Sequence, residues 1–206
     1  MIIIGAKGHA KDIITDPAFY NLQGTNFMFD DITKGLPEVL FEKYILLRNL
    51  TEAKEKAFGH SFILALGSPI GRKKVFELFQ HNGFQPENFI ASSAVVSVLA
   101  SIGQGLNIMP FCTVFAGAKV GNGCLINSYA SIHHDVELGD FVTVSPGARV
   151  LGRAKVGNLV DVGANAVILP DVTIGDNVII GAGAVVTKDL PSGTTAVGVP
   201  ARIIKP

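Results

Sequence analysis

The sequence predicts a mixed fold. A small Rossmann-like α/β domain over residues 1–88 precedes a left-handed parallel β-helix of hexapeptide repeats over residues 89–206, with a C-terminal cap. Three observations predict it. Every sixth residue from Ile90 to Val186 is Ile, Leu or Val, with no slip in register. The residue four places after each of these is usually small or apolar, as at Ala94, Cys112, Ala118, Ala130, Ala148 and Ala166. Before about residue 88 that period is absent, and apolar runs alternate with helix-forming stretches.

A period of six fits neither the 3.6 of a helix nor the 2 of a strand. It does fit a two-residue strand plus a corner. Three such units make one triangular coil, with the aliphatic and the small residue pointing inward onto their own copies one coil up. Gly and Asn near the corners supply positive φ. Each coil buries its apolar face only against its neighbours, so the ends need caps. After Val186 the period ends, and Pro191, Gly193 and Pro200 predict a tail that stops coiling and closes the prism.

The first segment reads as strand–loop–helix units. Ile2-Ile3-Ile4 is a buried strand, turned at Gly5 to His9 into a helix through about Thr15. Asn26 to Phe29 is a second strand ending in Asp30-Asp31, and Tyr44 to Leu47 a weaker third. A helix begins at Asn49 to Glu52. Ser61 to Leu66 is the fourth strand, and Pro69 suits the first turn of a helix carrying Arg72, Lys73 and Lys74 on a solvated face. Phe84 to Phe89 is the expected joint. Alternating strands and helices imply a small parallel sheet, Rossmann-like but truncated.

With 48% hydrophobic and 17% charged residues and net charge +0, the 206-residue chain reads as a soluble globular protein. Neutral balance argues against nucleic acid or an anionic membrane as the main partner. No apolar run is long enough to span a membrane, and the start lacks the basic region and cleavage site of a signal peptide. Cys112 and Cys124 read as buried free thiols of a reducing, cytoplasmic protein.

In a parallel sheet, ligands bind at the carboxyl ends of the strands. Three stretches lie there: Gly5 to His9, Asp30-Asp31 and Gly67-Ser68. Gly5 and Gly8 can bring the backbone close to a phosphate at a helix N-terminus, and a carboxylate can hold a ribose hydroxyl or a base N–H. A plain glycine turn with a solvated His9 accounts for the same residues, so both readings stay open. The GxGxxG pattern is absent, and a dinucleotide is not supported.

Within the repeats one unit stands out, Ile132-His133-His134-Asp135-Val136-Glu137. His134 falls at a corner, where side chains project into the groove beside the coil. A histidine there can take a proton at neutral pH, with the neighbouring carboxylate fixing its tautomer. A wet corner with no chemistry is the competing reading. A metal site would need a third ligand, yet His9, His60 and His81 all precede the repeats, so no metal is expected.

The chain resembles the bacterial hexapeptide-repeat sugar acyltransferases, which include sialic acid O-acetyltransferases and nucleotide-aminosugar N-acetyltransferases. The markers are Ile4-Gly5-Ala6-Lys7-Gly8-His9, Asp30-Asp31, Leu66-Gly67-Ser68, Asn127 to Asp135, Leu138 to Phe141 and Val197-Gly198-Val199-Pro200-Ala201. It is especially similar to the branch that acetylates UDP-linked 4-amino-4,6-dideoxy sugars in bacillosamine synthesis. The resemblance implies N-acetyl transfer from acetyl-CoA, without a metal, by a homotrimer with its sites between subunits. It further implies His134 as general base with Asp135 beside it. Gly8, His9, Asp30, Asp31, Leu66, Gly67 and Ser68 would form the nucleotide pocket. Asn127 would lie where sugar and acyl group meet, and Thr143, Gly152, Ala164 and Ala182 along the CoA path. Many relatives carry a histidine where this chain has Thr143, which leaves the acyl contacts open. The alternatives are O-acetylation of sialic acid or a related sugar, a metal-dependent hydratase of the trimeric carbonic anhydrase type, and a non-catalytic β-helix scaffold.

Overall fold

The computed structural model describes residues 1–20, 26–57, 59 and 61–205. Its first part runs β1 (Ile2–Ile4), α1 (Gly8–Ile14), α2 (Pro17–Tyr20), β2 (Phe27–Phe29), β3 (Val39–Leu40), β4 (Tyr44–Leu47), α3 (Leu50–Ala57), β5 (Ser61–Leu64), α4 (Pro69–His81) and β6 (Gln85–Pro86). These strands form one sheet in the order β3-β4-β2-β1-β5-β6, parallel except for the edge strand β3. The strands are apolar throughout because both faces are covered. Ile2, Ile4, Phe62 and Leu64 pack under α4 with Val75, Phe76 and Phe79. Ile3 and Ile63 face the other way, into a cluster continuous with the interior of the repeats. Ser68 Oγ caps α4 by accepting from the Gly71 N–H at 3.3 Å, and Pro69 opens the helix.

Two sequence expectations change here. Gln85–Pro86, read as part of the joint, is instead the sixth strand, paired with β5. Proline is tolerated because the strand is at the sheet edge, where its missing N–H leaves no gap in the ladder. β3 was not anticipated either, since two residues carry no period.

The repeats form a three-faced parallel β-helix. The first face stacks Phe89–Ile90, Asn107–Ile108, Leu125–Ile126, Thr143–Val144, Asp161–Val162 and Ile179–Ile180. The second stacks Val95–Val96, Thr113–Val114, Ser131–Ile132, Arg149–Val150, Val167–Ile168 and Val185–Val186. The third stacks Ser101–Ile102, Lys119–Val120, Glu137–Leu138, Lys155–Val156 and Thr173–Ile174. Partners between these rungs are 18 residues apart, as Ile108 with Ile126 and Val144 with Val162. The six-residue aliphatics from Ile108 to Val186 are buried, and so are the small residues between them.

Corners carry positive φ, but glycine and asparagine do not hold them all. Phe111, Tyr129, Asp135, Phe141, Arg153, Leu159 and Asp171 adopt it too. Coiling also persists past Val186: Leu190 bridges Ile174, and Thr195–Val197 joins the first face beside Ile179–Ile180. That rung is shortened to 16 residues, Ile179 to Thr195. Only then does the chain reverse, as Arg202–Lys205 pairs antiparallel with Thr195–Val197. Proline and glycine at 191 and 193 therefore tighten a rung before the tail closes the face. Among the described residues no helix is long and apolar enough to cross a membrane.

Candidate active site

The corner between the second and third faces is built from Ile132, which ends its strand inward, and Val136, which points inward again. Between them His133, His134 and Asp135 are forced out. The His134 imidazole is half-exposed, and its Nδ1 lies 3.0 Å from Asp135 Oδ2. A carboxylate at that distance accepts from Nδ1–H and leaves Nε2 as the basic nitrogen. Space for the ring comes from the rung below. A Cβ on Gly152 would stand 2.6 Å from both Cε1 and Nε2 of His134. The rung above makes room for Asp135 in the same way, since a Cβ on Gly117 would meet its Oδ1 at 2.2 Å. Arg153 closes the corner below, bound to Asp171 through Nε at 2.7 Å and Nη2 at 2.8 Å. His133 is placed differently. Its ring lies 5.0 Å from that of Phe115, and burial, then the neighbouring His134 and Arg149, hold its pKa below the ordinary value.

The second constellation lies at the carboxyl ends of β1, β2 and β5. A cleft there is lined by Gly5, Ala6, Lys7, Asp30, Asp31, Thr33 and Leu66, with Ile4, Phe29, Ile32 and Val75 as its apolar wall. Strand order reverses about β1, with β2 on one side and β5 on the other, so this is the sheet's switch point. Asp30 is buried, and its Oδ1 accepts from the N–H groups of Ile32 (3.1 Å) and Thr33 (2.8 Å). Asp31 is exposed at the mouth. Gly5 is required by packing: its φ is +117, and a Cβ would lie 2.4 Å from the Ala65 carbonyl oxygen. Gly8 and Gly67 have no such reason, because a Cβ at either meets nothing within 4 Å.

His9 sits where the two parts of the chain meet. Its Nε2 is 2.9 Å from Asn107 Nδ2, which also donates to the Leu64 carbonyl. Asn107 Oδ1 is buried without a partner among the described residues. The opposite amide orientation would press two oxygens together at Leu64, a larger cost than one orphaned acceptor. With the amide donating, the His9 proton sits on Nδ1. Burial, then the charge of Arg72, push the His9 pKa down to about 4, so the ring is neutral at physiological pH.

Arg72 corrects a sequence expectation. Read as part of a solvated face, it is fully buried. Nε donates to the Gly123 carbonyl at 2.8 Å, and Nη1 to Gly67 at 2.6 Å and Leu66 at 3.3 Å. Nη2 donates to the Phe141 and Val142 carbonyls at 3.1 and 3.2 Å and to Thr143 Oγ1 at 2.9 Å. The Thr143 hydroxyl in turn donates to the Gly67 carbonyl at 3.3 Å. Thr143 thereby ties its rung to the loop of Gly67-Ser68. A sequence signal did exist: Arg72, Val75, Phe76 and Phe79 share the buried stripe of α4. Asn107 and Thr33 are further residues of the candidate site that the motifs did not single out, and Lys7 lines the cleft from within the Gly5 to His9 stretch.

The structure brings Gly8, His9, Asp30, Asp31, Leu66, Gly67 and Ser68 to one end of the sheet, with Thr143 beside them. It puts His134, Asp135 and Gly152 at the corner opposite the first face, which is the face the sheet packs on. Asn127, Ala164 and Ala182 lie at the corner between the first and second faces. Asn127 Oδ1 accepts from the Ser128 N–H at 2.8 Å. Among the described residues no group of three or more His, Cys, Asp or Glu could hold a metal ion. His60 lies outside the described residues.

Residues 117–152 and 153–188 match the family described as bacterial transferase hexapeptide (six repeats). Solved structures resemble the whole chain. A variant of perosamine N-acetyltransferase from Caulobacter crescentus, in complex with CoA and GDP-perosamine, is 30% identical with a TM-score of 0.90, over 100% of this chain and 96% of that one. The acetyltransferase domain of PglB from Neisseria gonorrhoeae is 32% identical with a TM-score of 0.89, over 98% of both chains. WeeI from Acinetobacter baumannii is 28% identical with a TM-score of 0.89, again over 98% of both. The chain is an acyltransferase and belongs to the bacterial hexapeptide-repeat sugar acyltransferase family.

Proposed function

We propose that this chain is an acetyl-CoA-dependent N-acetyltransferase acting on the amino group of a nucleotide-linked 4-amino-4,6-dideoxy sugar. The observation that carries this reading is the full-length likeness to a perosamine N-acetyltransferase bound to CoA and GDP-perosamine. In this reading residues 1–88 are a Rossmann-like nucleotide-sugar-binding domain. Residues 89–206 are a left-handed β-helix that carries the acyl chemistry. Gly8, His9, Asp30, Asp31, Leu66, Gly67 and Ser68 hold the nucleotide-sugar. The open space at Gly8 and Gly67, which the fold itself does not require, supports that assignment.

The working unit is a homotrimer. His134 and the nucleotide cleft occupy opposite sides of one prism, so a neighbouring copy supplies the missing half of each site. Asn127 lies near the meeting of sugar and acyl group. Acetyl-CoA runs past Thr143, Gly152, Ala164 and Ala182, and its supply places the reaction in the cytoplasm.

The transfer is direct. The sugar amine attacks the thioester carbonyl, and His134 Nε2 takes its proton as the C–N bond forms. The C–S bond then breaks, and the departing sulfur takes the proton from the His134 imidazolium, so that CoA leaves as the thiol and the base is restored. Asp135 supports the imidazolium through Nδ1. The Gly152 N–H, which has no acceptor among the described residues, stabilises the oxyanion. Neither cysteine suits an acyl-enzyme route. Both are buried, and burial pushes the thiol pKa up to about 11 at Cys112 and about 12 at Cys124.

The test is release of CoA thiol from acetyl-CoA with a panel of UDP-, GDP- and dTDP-linked 4-amino-4,6-dideoxy sugars, with free sialic acid as control. Release with one amino sugar supports N-acetylation and names the nucleotide. Release with sialic acid alone would move the activity to O-acetylation, and silence throughout would remove this acceptor class.

A further inference from the structure

The carboxyl ends of the parallel strands point down the first face of the β-helix. The Leu64 carbonyl meets Asn107, and three residues on, the Gly67 carbonyl meets Thr143, two rungs lower. The next outward residue down this face is Asp161, which pairs in register beneath Thr143 and so lies one rung from the residue that holds the Gly67 loop. Below it Ile179 is 52% exposed, so the wall opens there to solvent.

Asp161 is half-buried, yet among the described residues its carboxylate has neither a hydrogen bond nor an ion pair. The nearby cation acts on it only at a distance and gives it no hydrogen bond. All three guanidinium nitrogens of Arg72 are engaged by Gly123, Leu66, Gly67, Phe141, Val142 and Thr143. Burial raises the Asp161 pKa and Arg72 offsets part of that, which agrees with a carboxylate that has lost water without gaining a partner. Leaving a charged group in this state costs stability unless something else supplies donors.

We propose that Asp161 is a specificity-determining residue that receives the protonated amine of the acceptor sugar. The inference rests on the acceptor being a nucleotide-linked amino sugar. An ammonium group offers three N–H donors and a full positive charge, whereas a hydroxyl in its place offers one donor and no charge. A half-desolvated carboxylate therefore prefers the amine to the alcohol. The contact belongs to the ground state, because the ammonium proton must leave before attack. It therefore acts on KM and on the choice of acceptor rather than on kcat.

The probes are the amino sugar turned over in the thiol-release panel and its 4-hydroxy counterpart on the same nucleotide, titrated by calorimetry. The wild type is expected to bind the amine about tenfold more tightly, equivalent to one charge-assisted hydrogen bond. Asp161→Asn should erase that preference and raise KM for the amino sugar about tenfold. kcat should stay within about threefold, and affinity for the free nucleotide should be unchanged. A merely structural role would weaken both sugars alike. Asp161→Ser, which removes the carboxylate without adding an amide, should behave the same way. Retention of the amine preference in either folded variant overturns the proposal while leaving N-acetylation intact. A panel without any turnover defeats both.

Discussion

At His134 the proposed chemistry depends on what its neighbours lack. Asp135 holds Nδ1 at 3.0 Å, and Gly152 lets the ring lie over the next rung. His134→Ala should lower kcat at least about a hundredfold with the fold intact, the scale expected of a general base. Near-normal turnover would remove the assignment. Gly152→Ala is the subtler test. Its φ is not in the positive region, so alanine is allowed by the backbone, but the added methyl would stand 2.6 Å from Nε2 and Cε1. The ring must turn away, and kcat should fall about tenfold or more while the unfolding midpoint moves little. His9 gives a pH signature of a different kind. Its pKa falls from 6.5 unfolded to about 4 folded, so between those values the unfolded chain binds more protons. Stability is then fully present above pH 6.5 and is lost as pH falls towards 4, by about 2 kcal/mol at pH 5. Denaturant titrations at pH 7 and pH 5 should show that loss in the wild type and much less of it in His9→Gln.

Among the elements, α4 is the fastener. Its apolar stripe covers the sheet, Phe76 meets Phe141 edge to face at 5.4 Å, and Arg72 ties the Leu66–Gly67 loop to carbonyls of the β-helix. Arg72→Leu would strand several of these buried acceptors and should cost about 3 kcal/mol or more. It should also raise KM for the nucleotide-sugar more than KM for acetyl-CoA, because the loop it holds lies on the nucleotide side. Steady-state kinetics with each substrate varied would separate the two. How far such elements could be read from sequence depended on where their cause lay. The β-helix rungs were legible because each inward residue packs on its copy 18 residues away, a regularity written in the chain itself. β1 and β5 were legible as apolar runs. Arg72 was not, since its partners in the β-helix lie 51 to 71 residues further on and Arg-Lys-Lys looks solvated in isolation. Gln85–Pro86 escaped because a two-residue edge strand has no pattern of its own. Within the candidate site the motif residues of the cleft were legible, whereas Asn107 was hidden by its ordinary outward place on the first rungs.

In the whole molecule, His134 occupies the one corner that does not border the first face, and the sheet that carries the proposed nucleotide cleft packs on that face. In the proposed reading a single prism cannot join them, and assembly determines whether the site exists. The proposed trimer therefore makes a quantitative prediction about mixed chains. Gly8→Phe should obstruct the cleft at little cost to the fold, because a Cβ there meets nothing within 4 Å. His134→Ala should leave the cleft open and remove the base. Neither variant alone should turn over substrate. Co-refolded in equal amounts, they should recover about a quarter of wild-type activity, since each interface has an even chance of drawing an intact cleft from one copy and an even chance of drawing an intact His134 from the next. If each chain built a whole site by itself, every chain in the mixture would still carry a defect and no activity would return.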